Sequence, residues 1–137
     1  MNKKERQLIF EKYGGKCAYC GCELEKGWHA DHLKPIDRYV ELVRDEMGFV
    51  VRDENYNVKR VVKIGRPEND TIENMNPSCA SCNINKHNMT IEEFRKQIKG
   101  FLNSLNLRST QYKFAKKYGL IEETGKEVIF YFETLDK

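Results

Sequence analysis

A mixed α+β chain with a small sheet is predicted, and three features of the sequence predict it together. Two Cys-x-x-Cys pairs, Cys17/Cys20 and Cys79/Cys82, are separated by 58 residues and would draw distant parts of the chain to one point. An apolar repeat at helical spacing runs through Ile91, Phe94, Ile98, Phe101, Leu102 and Leu105. Short apolar runs bounded by turn residues, Phe49-Val50-Val51 and Val58 to Ile64, read instead as strands.

The elements follow in order. Lys3 to Tyr13 is helix-compatible, with Leu8, Ile9 and Tyr13 able to share one face, and Gly14-Gly15 ends it just before the first cysteine pair. Trp28 to Leu33 reads as a strand that stops at Lys34-Pro35, because proline cannot continue a paired ladder. Within 37–70 the two apolar runs would pair around Glu54-Asn55-Tyr56-Asn57 as a hairpin, and no repeat or low-complexity tract marks a linker. Asn76-Pro77-Ser78 offers the start of a short helix over Cys79 to His87. Thr90-Ile91-Glu92-Glu93 is a capping box for a longer helix, within which Gly100 costs about 1 kcal/mol relative to alanine. A helix from Gln111 to Tyr118 would end at Gly119, with Tyr112, Phe114 and Tyr118 expected in the core, and Glu127 to Glu133 alternates as a closing strand.

Composition sets the class. With 137 residues, 39% hydrophobic and 33% charged, the chain suits a single soluble domain over 1–137. Its apolar runs are far too short to span a bilayer, and the polar Met1 end is unlike a secretory signal, so a cytoplasmic protein is expected. In a reducing compartment four paired cysteines suit a metal better than disulfides, and Cys17, Cys20, Cys79 and Cys82 are therefore expected to hold one structural Zn²⁺. Cys22 is expected to be a free thiol.

The formal charge of +3 is unevenly distributed. Residues 1–83 carry fourteen Lys/Arg and fourteen Asp/Glu, whereas 84–118 carry eight against two and the last nineteen carry two against five. The local basic excess suits phosphate contact, with Lys86, Lys96 and Lys99 as the candidates for binding DNA.

Between the cysteine pairs stands Trp28-His29-Ala30-Asp31-His32, and the second pair runs directly into Asn83. Those residue types suit hydrolysis of a phosphodiester. A histidine with an ordinary pKa near 6.5 can take a proton from water at neutral pH. Asp31 and Asn83 supply the hard oxygen donors that Mg²⁺ or Mn²⁺ accepts, which distinguishes them from four sulfurs suited to zinc. His29 lies on the Asp31 face of its strand. His87, four residues after Asn83, shares that residue's helix face and is a candidate further ligand.

CAYCG, HADHLKP and ENMNPSCASCNINK, in that order, resemble the HNH endonuclease motif in its zinc-stabilised CxxC…CxxC form. The resemblance spans about residues 5–95 and implies a ββα-metal core, the His-Me finger, here with an insertion over 37–70 and a C-terminal extension over 96–137. It implies that His32 is the general base, Asp31 a ligand of the catalytic cation, Asn74 the residue that orients the base's loop, and Asn83 the helix position that is often histidine. DNA is the implied substrate, duplex or branched, and small free-standing proteins of this kind occur in phages and mobile elements. The chain departs from the family pattern in the 42 positions from His32 to Asn74 and in lacking a Gly-Gly turn there. Two rival readings are a resolvase of branched DNA junctions, suggested by the CxxCN arrangement, and a zinc-stabilised DNA-binding module that does not cleave. Oligomeric state is not legible.

Overall fold

The structure is a computed structural model that describes residues 1–135, so Asp136 and Lys137 of the expected C-terminal extension lie outside the described residues. It is a mixed α+β chain with two small sheets. The first helix, α1 (Lys3–Glu11), starts at a capping box in which Asn2 and Glu5 satisfy each other's backbone amides. Gly14 and Gly15 follow with φ of 64° and 79°, a left-handed path that glycine takes without strain. Of the residues able to share a face, Ile9 is buried and Tyr13 half-buried, while Leu8 is 63% exposed.

Strands β1 (His29–His32) and β4 (Met75–Ser78) form the antiparallel pair at the centre. Their register sets Asp31 opposite Asn76 and His32 opposite Met75. All four β4 residues are buried, whereas in β1 only Asp31 is buried and His29 is exposed, so β4 is covered on both sides while β1 lines a cavity. Helix α2 (Ala80–Lys86) follows β4 directly and contacts β1.

Between the two strands a long ribbon projects. Its strands are β2 (Asp37–Leu42) and β3 (Arg60–Gly65), paired antiparallel with Val40 opposite Val62. This revises the expected hairpin: Val58 to Ile64 pairs mainly with 37–42 rather than with Phe49–Val51. Phe49 to Val51 serves a different purpose. Residues 44–51 and 52–59 are two consecutive copies of one turn, with Arg, Asp, Glu and Val at the same four of eight places. In each, the aspartate side chain accepts the amides two and four residues on, Asp45 from Met47 and Phe49, and Asp53 from Asn55 and Asn57. In each, the arginine reaches a turn carbonyl at 2.9 Å, Arg44 to Gly48 and Arg52 to Tyr56. The copies meet where Val43, Val51 and Lys59 bond one another in a ring of three backbone hydrogen bonds. A repeat is thus present in a segment that reads at first as having none.

The core lies behind the first cysteine pair. Cys17, Ala18, Tyr19, Phe94 and Phe130 are buried together, with Tyr19 edge-on to Phe94 and Phe130, whose rings stack at 5.3 Å. Phe94 comes from α3 (Ile91–Arg108), which begins at the expected Thr90/Glu93 capping box. Helix α4 (Thr110–Lys117) follows, and Gly119 then turns with φ of 74°. Beyond Phe94 the apolar stripe is thinly covered: Phe101, Leu102 and Leu105 are exposed, as are Phe114 and Tyr118, while Tyr112 is partly covered. The core placement expected of Phe114 and Tyr118 is therefore corrected. So is the closing strand. Residues 127–130 pair with no strand, and Tyr131–Thr134 form a short helix, α5. Its first amides bond the first cysteine pair's backbone, Tyr131 to Tyr19 O and Phe132 to Ala18 O, which holds Phe130 in the core.

Candidate functional site

The sulfurs of Cys17, Cys20, Cys79 and Cys82 lie within 4.8 Å of one another and could hold one metal ion. Cys20 Sγ and Cys79 Sγ are 3.9 Å apart. The arrangement follows from local structure. Cys79 is the N-cap of α2, and its sulfur accepts the amide of Cys82 at 3.4 Å, so the second pair turns into the helix around its own ligand. The Cys17 thiol is held down to about 4, chiefly by hydrogen bonding with Cys82, whose own thiol is pushed up by the same contact. Four crowded sulfurs cannot all ionise unless a cation neutralises them. Cys22 lies outside the cluster. It is exposed, and bonding to Cys20 pushes its thiol up to about 12.

One turn into α2, Asn83 donates its amide to Cys79 O, and His87 donates its own to Asn83 O. Asn83 and His87 line a cavity of about 380 Å³ together with His29, Asp31, His32, Pro35, Ile36 and Arg38. The edge of β1, the end of α2 and the start of the ribbon therefore share one hollow. His87 closes the helix with φ of 51° and ψ of −127°, a conformation that costs a residue with a Cβ about 1–3 kcal/mol. That strain sits at the cavity wall.

Asp31 is 7% exposed, and Tyr19 and Lys86 meet the same one of its oxygens. Oδ2 accepts from the Tyr19 hydroxyl and lies 3.0 Å from Lys86 Nζ. Burial, then the Asp31 charge, pushes the Tyr19 phenol above its usual range, so it stays a neutral donor. Lys86 also donates to His32 O at 2.8 Å, which pins α2 onto β1. Its side chain is wholly buried. This overturns the expectation that Lys86 contacts DNA, because its ammonium faces Asp31 and has no path to a phosphate. Helical spacing from the exposed Asn85 and His87 gives no sign of that burial; a lysine three residues beyond Asn83 could point inward or outward with equal ease.

After His32 the chain bends through Lys34-Pro35, and Asn74 holds that bend. Its Oδ1 accepts the Lys34 amide at 2.9 Å, while its Nδ2 donates to Lys34 O at 2.8 Å and Asn69 O at 2.7 Å. Leu33 N adds a bond to Asn74 O. His32 Nε2 meets Asp70 Oδ1 at 2.8 Å. Neither Asp70 nor Arg38 stands out in the sequence, since each lies in the insertion, where no motif marks it. Lys96 and Lys99 are exposed on α3 and are not among the residues that line the cavity. Among the described residues no helix is long and apolar enough to cross a membrane.

Comparison with protein-family models, curated proteins and solved structures finds no match to this chain.

Proposed function

We propose that the chain is a metal-dependent DNA endonuclease of the HNH type, built on a zinc-stabilised ββα-metal core of β1, β4 and α2. One observation carries the reading: Asp31, His32 and Asn83 line a single cavity beside a four-cysteine cluster, and Asn74 ties the backbone that follows His32. Zn–S bonds of about 2.3 Å in a tetrahedron set sulfurs about 3.8 Å apart. The 3.9 Å between Cys20 and Cys79 suits that ion, and its role is to fix α2 and hence Asn83.

Asp31 and Asn83 offer oxygen donors at the cavity, a donor set suited to Mg²⁺ or Mn²⁺, and Asp31 is kept oriented by partners on Oδ2 alone. Such a cation would neutralise charge that develops on the phosphate and on the leaving oxygen. The chain's own groups do the rest. His32 takes a proton from a water whose oxygen bonds to phosphorus as the P–O3′ bond breaks; the departing 3′ oxygen takes its proton from solvent, leaving 5′-phosphate and 3′-hydroxyl ends. Arg38, the one cation among the residues lining the cavity, is suited to hold a nonbridging phosphate oxygen through its fork of donors. Cysteine thiols take no part.

The test is cleavage of plasmid DNA and of a four-way junction by wild type and His32→Ala, with Mg²⁺, Mn²⁺ and Co²⁺. The variant is expected to lose at least about 10²-fold in rate, the lower end of a general base's contribution, with its zinc content intact. Equal rates would remove His32 as base. Preference for the junction would favour the resolvase reading, and binding without nicking under every metal would favour the non-cleaving module.

A further inference from the structure

We propose that Asp70, the last residue of the insertion, is a positioning residue for His32 that holds the imidazole with its proton on Nε2 and leaves Nδ1 to accept the proton of water. The inference rests on the reading of His32 as general base and specifies which of its two nitrogens acts. A carboxylate has no donor, so the 2.8 Å contact with Asp70 Oδ1 places the hydrogen on Nε2. His32 lines the cavity and Asp70 does not; Nε2 is taken up by Asp70, and among the described residues Nδ1 has no hydrogen-bond partner, which leaves it as the nitrogen available to water.

Asp70 is held in place by the chain around it. Arg66 enters the turn with φ of 54° and forks onto Asp37 at 2.8 and 3.1 Å, which clamps the root of the ribbon. Pro67–Asn69 then form a single tight turn, closed by Asp70 N on Pro67 O at 3.0 Å. Asn69 Nδ2 donates to Pro35 O at 3.0 Å, and Asn69 O accepts from Asn74. The turn bearing Asp70 is thus tied to the bend that follows His32, so base and carboxylate are fixed to one backbone unit. A neutral imidazole has one proton for two nitrogens, and a carboxylate on one of them selects the tautomer and the ring orientation together. On this account the ribbon's return strand has a task at the site, besides any role of the ribbon itself.

The experiment is ¹⁵N-edited imidazole spectroscopy of the full-length protein at neutral pH, with the His32 signals identified by their absence in His32→Ala, combined with cleavage kinetics. Wild type is expected to show His32 as the Nε2–H tautomer, and Asp70→Ala to show a mixture. The kcat of Asp70→Ala should fall about 10- to 100-fold with KM for DNA unchanged. Asp70→Asn keeps an acceptor for Nε2–H, so it should retain the tautomer and recover part of kcat; it also serves if the alanine variant fails to fold. An Nδ1–H tautomer in wild type, or an unchanged kcat in a folded Asp70→Ala, overturns Asp70's role while leaving His32 as base. Full cleavage by His32→Ala overturns the base reading itself and this inference with it, and the two failures are told apart by the spectrum.

Discussion

Lys86 and Asp31 form a buried ion pair between α2 and β1, with Nζ 3.0 Å from Oδ2 and side-chain exposures of 0% and 7%. Removing one member leaves the other charge in a poorly solvated place. Lys86→Met is therefore expected to cost about 3–5 kcal/mol, measured by urea unfolding. A loss below about 1 kcal/mol, the range of surface pairs, would mean that water reaches Asp31 freely. Because Lys86 also holds His32 O, the variant should lose activity along with stability.

The two roles assigned to the second cysteine pair and its neighbour separate by metal content. Cys79→Ser removes one sulfur from the cluster while leaving a hydroxyl able to cap α2, so zinc release and loss of the fold are expected together from the missing ligand alone, read by colorimetric zinc assay and circular dichroism. Asn83→Ala should leave the zinc stoichiometry and spectrum of wild type while abolishing cleavage. Zinc loss in the second variant would make Asn83 a structural residue.

Acid should loosen the C-terminal helices in a defined window. Lys116, then Asn106 and Tyr112, bond the Glu123 carboxylate and hold its pKa at about 2, against an ordinary 4.5. The folded value lies below the unfolded one, so this contribution is complete above about pH 4.5 and is lost as pH falls toward 2. Amide exchange across 106–123 is expected to quicken over that range, and Glu123→Gln should remove the pH dependence. A wild-type profile flat from pH 5 to 2, in those approximate limits, would contradict the pairing.

The duplicated turns make an internal control. Asp45 and Asp53 each accept two backbone amides, so alanine at either should weaken its own turn by about 1 kcal/mol per bond lost, seen as faster amide exchange in 43–59. Protection in β1, β4 and α2 should not change. Unequal effects would show that the copies are alike in backbone but not in energy.

Much of this chain can be read without coordinates, because some signals are local. The Thr90/Glu93 box needs only residues three apart, and it caps α3 as expected. The cysteine spacing likewise announces a cluster, since two matched Cys-x-x-Cys pairs are the spacing of a four-sulfur metal site, and the four sulfurs do gather. Asp31, His32 and Asn83 could be selected on chemistry and spacing, and they do share a cavity.

What the tertiary structure alone decided concerns direction and partnership. Lys86 points inward because Asp31, 55 residues earlier, lies within reach, and nothing near Lys86 in sequence announces that charge. Asp70 meets His32 only because the ribbon's two strands return the chain to its root, where Asn69 and Asn74 close the turn. Residues 127–133 alternate like a strand but find no strand to pair with, and the backbone of the first cysteine pair takes the amides of Tyr131 and Phe132 instead. Alternation and spacing report which face a residue can share with its neighbours in sequence. The element facing it is set by long-range closure, here by the cysteine cluster, the Asn74 bend and the ribbon's clamped root.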